Sequence, residues 1–174
     1  MTIAAAADLA RRGLAVFPLP PGGRRPTGRW QSLCLTDPER VQELWCAGDN
    51  IGVGCRASKV VGLDLDIDGD GDGETVLTEL ATSLGQDWPK TLTVRTPSGG
   101  LHLYFRVPSG CTIGSSSGGR TALGSGIDVR GPGRRSGGYL VGPGSTVNGK
   151  RYVIERDVPL VGLPEWIAER AALV

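Results

Sequence analysis

Between positions 60 and 68 the chain reads Val-Val-Gly-Leu-Asp-Leu-Asp-Ile-Asp, and no other stretch limits the fold as tightly. As a β-strand it sends Leu63, Leu65 and Ile67 to one face and Asp64, Asp66 and Asp68 to the other. Carboxylates two residues apart on a strand lie only ~6.6 Å apart at their Cα atoms. Like charges at that spacing require a compensating cation. Oxygen ligands suit Mg²⁺ or Mn²⁺, and two such ions ~3.5–4 Å apart clamp a phosphoryl transfer. The competing reading is a solvated acidic edge, which the low strand propensity of Asp disfavours.

The charge distribution sharpens this picture. Residues 64–79 carry Asp64, Asp66, Asp68, Asp70, Asp72, Glu74 and Glu79 and no base. The other 158 residues hold 19 bases against 11 acids, a net of +8 hidden inside an overall +1. Arg11, Arg12, Arg24, Arg25 and Arg29 form one acid-free basic stretch, and Arg120, Arg130, Arg134 and Arg135 another, broken by Asp128 alone. A concentrated acidic site in an otherwise basic chain suits a metal centre that meets a polyanion. Solvated basic faces and a composition rich in Arg and Gly are the plainer explanation of the same numbers.

Gly and Pro make up 40 of 174 residues without a repeating period, and apolar runs lie between them, so tight turns rather than disorder are expected. Helices are predicted at 2–12, 37–47, 73–84 and 164–173, and strands at 14–19, 51–54, 59–68, 91–96, 101–107, 126–130, 138–142 and 151–155. Thr36-Asp37-Pro38-Glu39 has the form of a capping box with Pro just inside the helix. Residues 20–28 read as a Pro/Gly/Arg loop, and the Gly/Ser-rich stretch 108–125 as mobile. Several strand pairs are joined by turns too short for a crossover. The expected class is therefore α+β, with mostly antiparallel, mixed sheet flanked by helices, in one domain over residues 1–174. Its expected parts are an N-terminal α/β region at 1–58, a core at 59–160 and a terminal helix at 161–174.

No apolar run approaches the ~20 residues of a membrane span, and residues 1–7 lack the basic start of a signal peptide, so no membrane partner and a cytoplasmic setting are expected. Cys34, Cys46, Cys55 and Cys111 form no close pair and read as free thiols, with a zinc site as the alternative.

Two further segments carry polar residues in useful order. In Thr96-Pro97-Ser98-Gly99-Gly100-Leu101-His102, two glycines let backbone amides approach an anion, Ser98 adds a hydroxyl, and His102 follows on a strand. In Gly126-Ile127-Asp128-Val129-Arg130, Asp128 and Arg130 share a face opposite Ile127 and Val129. A rival reading exists in the acidic stretch itself: Asp68-x-Asp70-x-Asp72-Gly73 with Glu79 satisfies an EF-hand loop pattern, a calcium-binding module. Period-2 alternation instead of a helix precedes it, which favours a strand-to-helix turn.

Taken together, the pieces at 63–66, 96–105 and 126–130 resemble the bifunctional primase–polymerase domain of the archaeo-eukaryotic primase superfamily. The flanks Val16-Phe17-Pro18-Leu19, Asn50-Ile51-Gly52-Val53-Gly54 and Gly137-Gly138-Tyr139-Leu140-Val141 resemble it too, over roughly residues 5–170. The resemblance implies a core like that of an RNA-recognition motif. It implies Asp64, Asp66 and Asp128 as catalytic ligands of two Mg²⁺ or Mn²⁺ ions, with Ser98, Gly99, Gly100, His102 and Arg130 holding a nucleoside triphosphate. The implied reaction is template-directed nucleotidyl transfer to a 3′ hydroxyl, that is, DNA primase and DNA polymerase chemistry. The implied partners are a single-stranded DNA template, a primer and a separate helicase. A silent nucleic-acid-binding relative is the alternative. The chain departs from the family pattern in having Asp66 where Glu is common, Arg24 or Arg25 where a lysine is expected, and a longer loop at 132–136.

Overall fold

The computed structural model describes residues 2–68 and 71–172. Along the chain lie α1 (Thr2–Arg11), β1 (Val16–Leu19), a 3₁₀ turn (Trp30–Leu33), α2 (Pro38–Leu44), β2 (Asn50–Gly54), α3 (Cys55–Ser58) and β3 (Val60–Leu65). The short β4 (Ile67–Asp68) and β5 (Gly71–Asp72), α4 (Gly73–Ser83), β6 (Thr93–Arg95), β7 (Leu101–Arg106) and β8 (Ile127–Arg130) follow. After them come β9 (Tyr139–Val141), β10 (Thr146–Val147), β11 (Lys150–Arg151), β12 (Val153–Arg156), β13 (Val161–Gly162) and α5 (Glu165–Ala171). The class is α+β.

The main sheet runs β12-β6-β7-β3-β8, antiparallel throughout, with β13 added parallel to β7. Strand alternation assigns each of its faces a different core. Val61, Leu63, Leu65, Leu101, Leu103, Phe105, Ile127 and Val129 pack with Leu77 and Ala81 of α4 and Ile167 and Ala171 of α5. On the other face Val60, Val94 and Tyr104 join a cluster with α1, α2 and a second sheet, β1-β2-β9. That second sheet takes β9 from residues 139–141, so residues 1–58 do not build it alone. Gly62 makes the close approach possible: a Cβ there would run into Leu140 Cδ1 of β9.

Local signals explain most element ends. Asp37 caps α2, accepting from the Glu39 amide at 2.9 Å, with Pro38 in the first turn. Asp72 caps α4, accepting from the amides of Glu74 and Thr75. Gly13 and Gly85, with φ of 84° and 64°, end α1 and α4. Pro18 sits within β1 opposite Ile51. β1 lies at the outer edge of its sheet, where a missing N–H is tolerated.

The long strand expected at 59–68 is broken. β3 ends at Leu65, and the Asp66 amide donates to Gly126 O at 2.8 Å while its carbonyl accepts from the Gly73 amide at 2.9 Å. Ile67 and Asp68 then turn into a hairpin with Gly71 and Asp72. Asp68 therefore does not continue the row begun by Asp64. The strand-to-helix turn expected in preference to an EF-hand is what the chain forms. A strand, not a helix, precedes the loop, and Asp72 caps α4, although Asp70 lies outside the described residues. The stretch at 108–125 is pinned by a bridge between Ser116 and Val129. Leu173, the last residue of the expected terminal helix, lies outside the described residues.

Candidate active site

The centre of the main sheet places three polar side chains in one row. In the register, Asp64 on β3 faces His102 on β7 to one side and Asp128 on β8 to the other. Directly paired residues share a face, so all three point away from the α4/α5 core. Next in the row along β8, Arg130 pairs with Gly62.

Each side chain is held. His102, 4% exposed, approaches Asp64 Oδ1 with Nε2 at 3.3 Å. Burial pushes the Asp64 carboxyl upward, but His102, Arg130 and Arg24 outweigh it and hold it below its ordinary value. Asp128 Oδ1 accepts from the amides of Gly118 at 2.7 Å and Gly119 at 3.4 Å, while Oδ2 accepts from Arg130 Nη2 at 3.2 Å. Arg130 Nη1 donates to Ser117 Oγ at 3.0 Å. The glycine-rich loop is thus the second wall of Asp128, and only φ-positive residues such as Gly118 (φ 74°) and Gly119 (φ 62°) wrap it so closely.

Above this row opens a cavity of about 510 Å³, lined by Arg24, Arg25, Asp64, His102, Arg130 and Tyr152 among others. Arg24 and Arg25 come from the 20–28 loop, which Asn50 anchors by donating to Gly23 O at 2.9 Å and Thr146 O at 2.8 Å. Tyr139 Oη donates to Arg24 O at 2.8 Å from the opposite side. Three guanidinium groups, from Arg24, Arg25 and Arg130, thus share one cavity with the Asp64 carboxylate and the His102 ring.

Residues 6–166 match the family model described as bifunctional DNA primase/polymerase, N-terminal. The chain belongs to this family. Primase/polymerase-type nucleotidyl transfer is the activity class that goes with it. No curated protein matches the chain.

Within this primase–polymerase domain, Asp66 stands just past the end of β3, part-buried. Burial, together with the charges of Asp64, Asp128 and Asp68, pushes its carboxyl up to about 6. This is the clearest sign of uncompensated negative charge at the site. Among the described residues no three His, Cys, Asp or Glu side chains already stand grouped to grip a metal ion. The contacts explain why: Asp64 leans on His102, and Asp128 is engaged by two amides and Arg130. The donor set still fits a hard divalent cation, since Asp64, Asp66 and Asp128 are all carboxylates and repel one another.

The Ser98-Gly99-Gly100 turn lies elsewhere, at the tip of the β6–β7 hairpin and outside the lining of the cavity. Ser98 Oγ pairs with Thr96 Oγ1 at 3.2 Å, and Gly99 has φ 95°. A Cβ at Gly100 would strike Leu65 O, so the turn seats the hairpin against the end of β3 beside Asp66. Sequence reasoning did not single out Ser115, Tyr152 or the Gly118-Gly119 amides. They reach the site from loops, and no periodicity marks them.

Among the described residues no helix is long and apolar enough to cross a membrane. All four cysteines are free, and burial pushes Cys55 up to about 12, which leaves it inert.

Proposed function

We propose that the domain is a divalent-metal-dependent DNA primase/polymerase that uses nucleoside triphosphates on a single-stranded DNA template. The observation that carries this reading is Asp64 flanked by His102 and Asp128 beneath a cavity lined by three arginines. Asp64, Asp66 and Asp128 would hold Mg²⁺ or Mn²⁺, which supplies neutralisation of phosphate charge and polarisation of the reacting oxygens when bound. Arg24, Arg25 and Arg130 receive the triphosphate and fix its orientation. His102 has a buried Nδ1 with no partner among the described residues. With Nε2 turned to Asp64, the His102 ring borders the cavity and contacts the triphosphate there. The Ser98-Gly99-Gly100 turn acts on the site by setting the start of β7 at Leu101, one residue before His102.

In the reaction, a 3′ hydroxyl oxygen bonds to the α-phosphorus, the bond from that phosphorus to the bridging oxygen breaks, and pyrophosphate leaves. The hydroxyl proton passes to solvent water in the same step. The protein's part is positioning and charge neutralisation, with little covalent work. Labelled nucleotide incubated with single-stranded template, with and without primer, in Mg²⁺ and in Mn²⁺, tests this. Template-dependent product that a chelator abolishes is expected. DNA binding with no incorporation in either metal would make the chain the silent relative.

A further inference from the structure

Two cavities beside the active site contain cations that the proposed chemistry does not use. One, of about 500 Å³, has walls of Trp30, Cys34, Gly54 and Ala57, with Arg56 and Arg135 among its lining. The other, of about 350 Å³, is lined by Arg56, Lys59, Ser109, Thr112 and Arg134 among others. Arg56 of α3 belongs to both, and neither lining contains a carboxylate.

The pairing of arginines differs across the molecule. Arg12, Arg40, Arg95 and Arg170 each lie against an acid. Arg56, Lys59, Arg134 and Arg135 form no ion pair among the described residues. Four cations gathered around two hollows, without counter-charge, raise one another's energy unless a polyanion neutralises them.

The hollows also adjoin the active site. Gly137 lines the Trp30 cavity and Gly138 lines the catalytic one, and the Cys55 amide at the start of α3 donates to Gly138 O at 2.9 Å. Trp30 stacks on Phe17 at 4.5 Å and meets Tyr139 edge-on at 5.4 Å, and Tyr139 in turn lines the catalytic cavity. Glycines allow the close packing between these walls. A Cβ on Gly54 would come within 2.9 Å of Cys34 Sγ and 3.3 Å of Trp30, and one on Gly137 within 2.9 Å of Arg56 Cβ. Arg134 and Arg135 belong to one loop at 132–136.

We propose that a single strand of DNA passes from the catalytic cavity over α3, with one base in the Trp30 hollow and its phosphates on Arg56, Arg135, Arg134 and Lys59. An aromatic-walled pocket inside a row of unpaired cations is the arrangement that holds an unpaired strand. A duplex keeps its bases stacked inside and has nothing to place against Trp30. The inference rests on the primase–polymerase reading for its occupant, and binding tests it apart from catalysis.

The experiment is fluorescence anisotropy with a labelled oligothymidylate, without nucleotide or metal, across a salt series. The Arg56→Ala/Arg135→Ala variant should bind at least about tenfold more weakly, and its salt slope should flatten by about 1.4 for two lost phosphates. Trp30→Phe retains the stack on Phe17 and should lose most of the strand-induced quenching of tryptophan emission. Arg40→Ala, which removes a paired surface arginine, should bind as the wild type does. Unchanged affinity and slope in the Arg56/Arg135 variant would overturn the inference, as would equal affinity for duplex of the same length. Strand binding through Arg56 and Arg135 without any nucleotide incorporation would leave this inference standing and sink the catalytic reading alone.

Discussion

Asp64 on β3 and Asp128 on β8 are register partners on adjacent antiparallel strands, so two carboxylates leave the sheet side by side on one face. Sixty-three residues intervene between them in the chain, yet the pairing brings them together in a part-buried setting, where each charge is costly unless compensated. Arg130 and the Gly118 and Gly119 amides compensate Asp128, and His102 compensates Asp64.

Asp128→Asn tests the pairing. The amide oxygen still accepts from Gly118 and Gly119, so the fold persists, while one negative ligand is lost. Incorporation should fall at least about a hundredfold, the usual scale for removing one charge-stabilising group. The melting temperature should move by no more than about 3 °C. Primer-extension rates and a thermal melt together read both effects.

The raised pKa of Asp66 gives a pH signature. Its carboxyl is held at about 6 in the folded chain against an ordinary 3.8, so the folded state keeps this proton to higher pH than the unfolded one. The stability contributed by that proton is present below pH ~4 and lost as pH rises through ~6. Asp66→Asn removes the loss. The variant should melt about 1–3 °C above the wild type at pH 7.5, a small gap because solvent screens a part-exposed group. The gap should close at pH 4. Mg²⁺ or Mn²⁺ should raise the wild type's melting temperature at pH 7.5 and leave the variant's nearly unmoved. A gap that widens toward low pH would contradict the assignment.

His102→Asn separates binding from chemistry. It removes the imidazole from the lining of the cavity proposed to take the triphosphate, so the nucleotide KM should rise by about tenfold or more, in line with a lost contact to a charged group. The value of kcat should change less. Steady-state titration of nucleotide at saturating template reads the split.

Much of this arrangement was legible in the sequence because strand alternation is a strict rule. The parity of Asp64 against Leu63 and Leu65, and of Asp128 and Arg130 against Ile127 and Val129, fixed which face each would take. The start of α2 at Pro38 was equally readable from the box at 36–39, although the cap itself is Asp37. What the sequence hid depends on long-range contacts. The break after Leu65 comes from the Gly126 and Gly73 backbones, which the alternation of Ile67 and Asp68 did not reveal. The four-residue α3 is set by its place between β2 and β3, with Lys59 at φ 54° closing it. The Ser98-Gly99-Gly100 segment falls between the strands expected at 91–96 and 101–107, so its place in a turn was legible, but its position outside the cavity lining was not.

Gly62 offers a stability test independent of the chemistry. Gly62→Ala drives a methyl group into Leu140 between the two sheets, and overpacking of this kind costs about 1–3 kcal/mol. The cost should shrink in a Leu140→Ala background, where the space is free. Denaturant melts of the four proteins in the cycle give the coupling directly.

The most direct measurement is Mn²⁺ titration followed by electron paramagnetic resonance, with a non-hydrolysable nucleoside triphosphate present. Asp64→Asn, Asp66→Asn and Asp128→Asn should each weaken Mn²⁺ binding about tenfold or more relative to the wild type. Wild-type affinity in all three variants would contradict a cation site shared by these carboxylates.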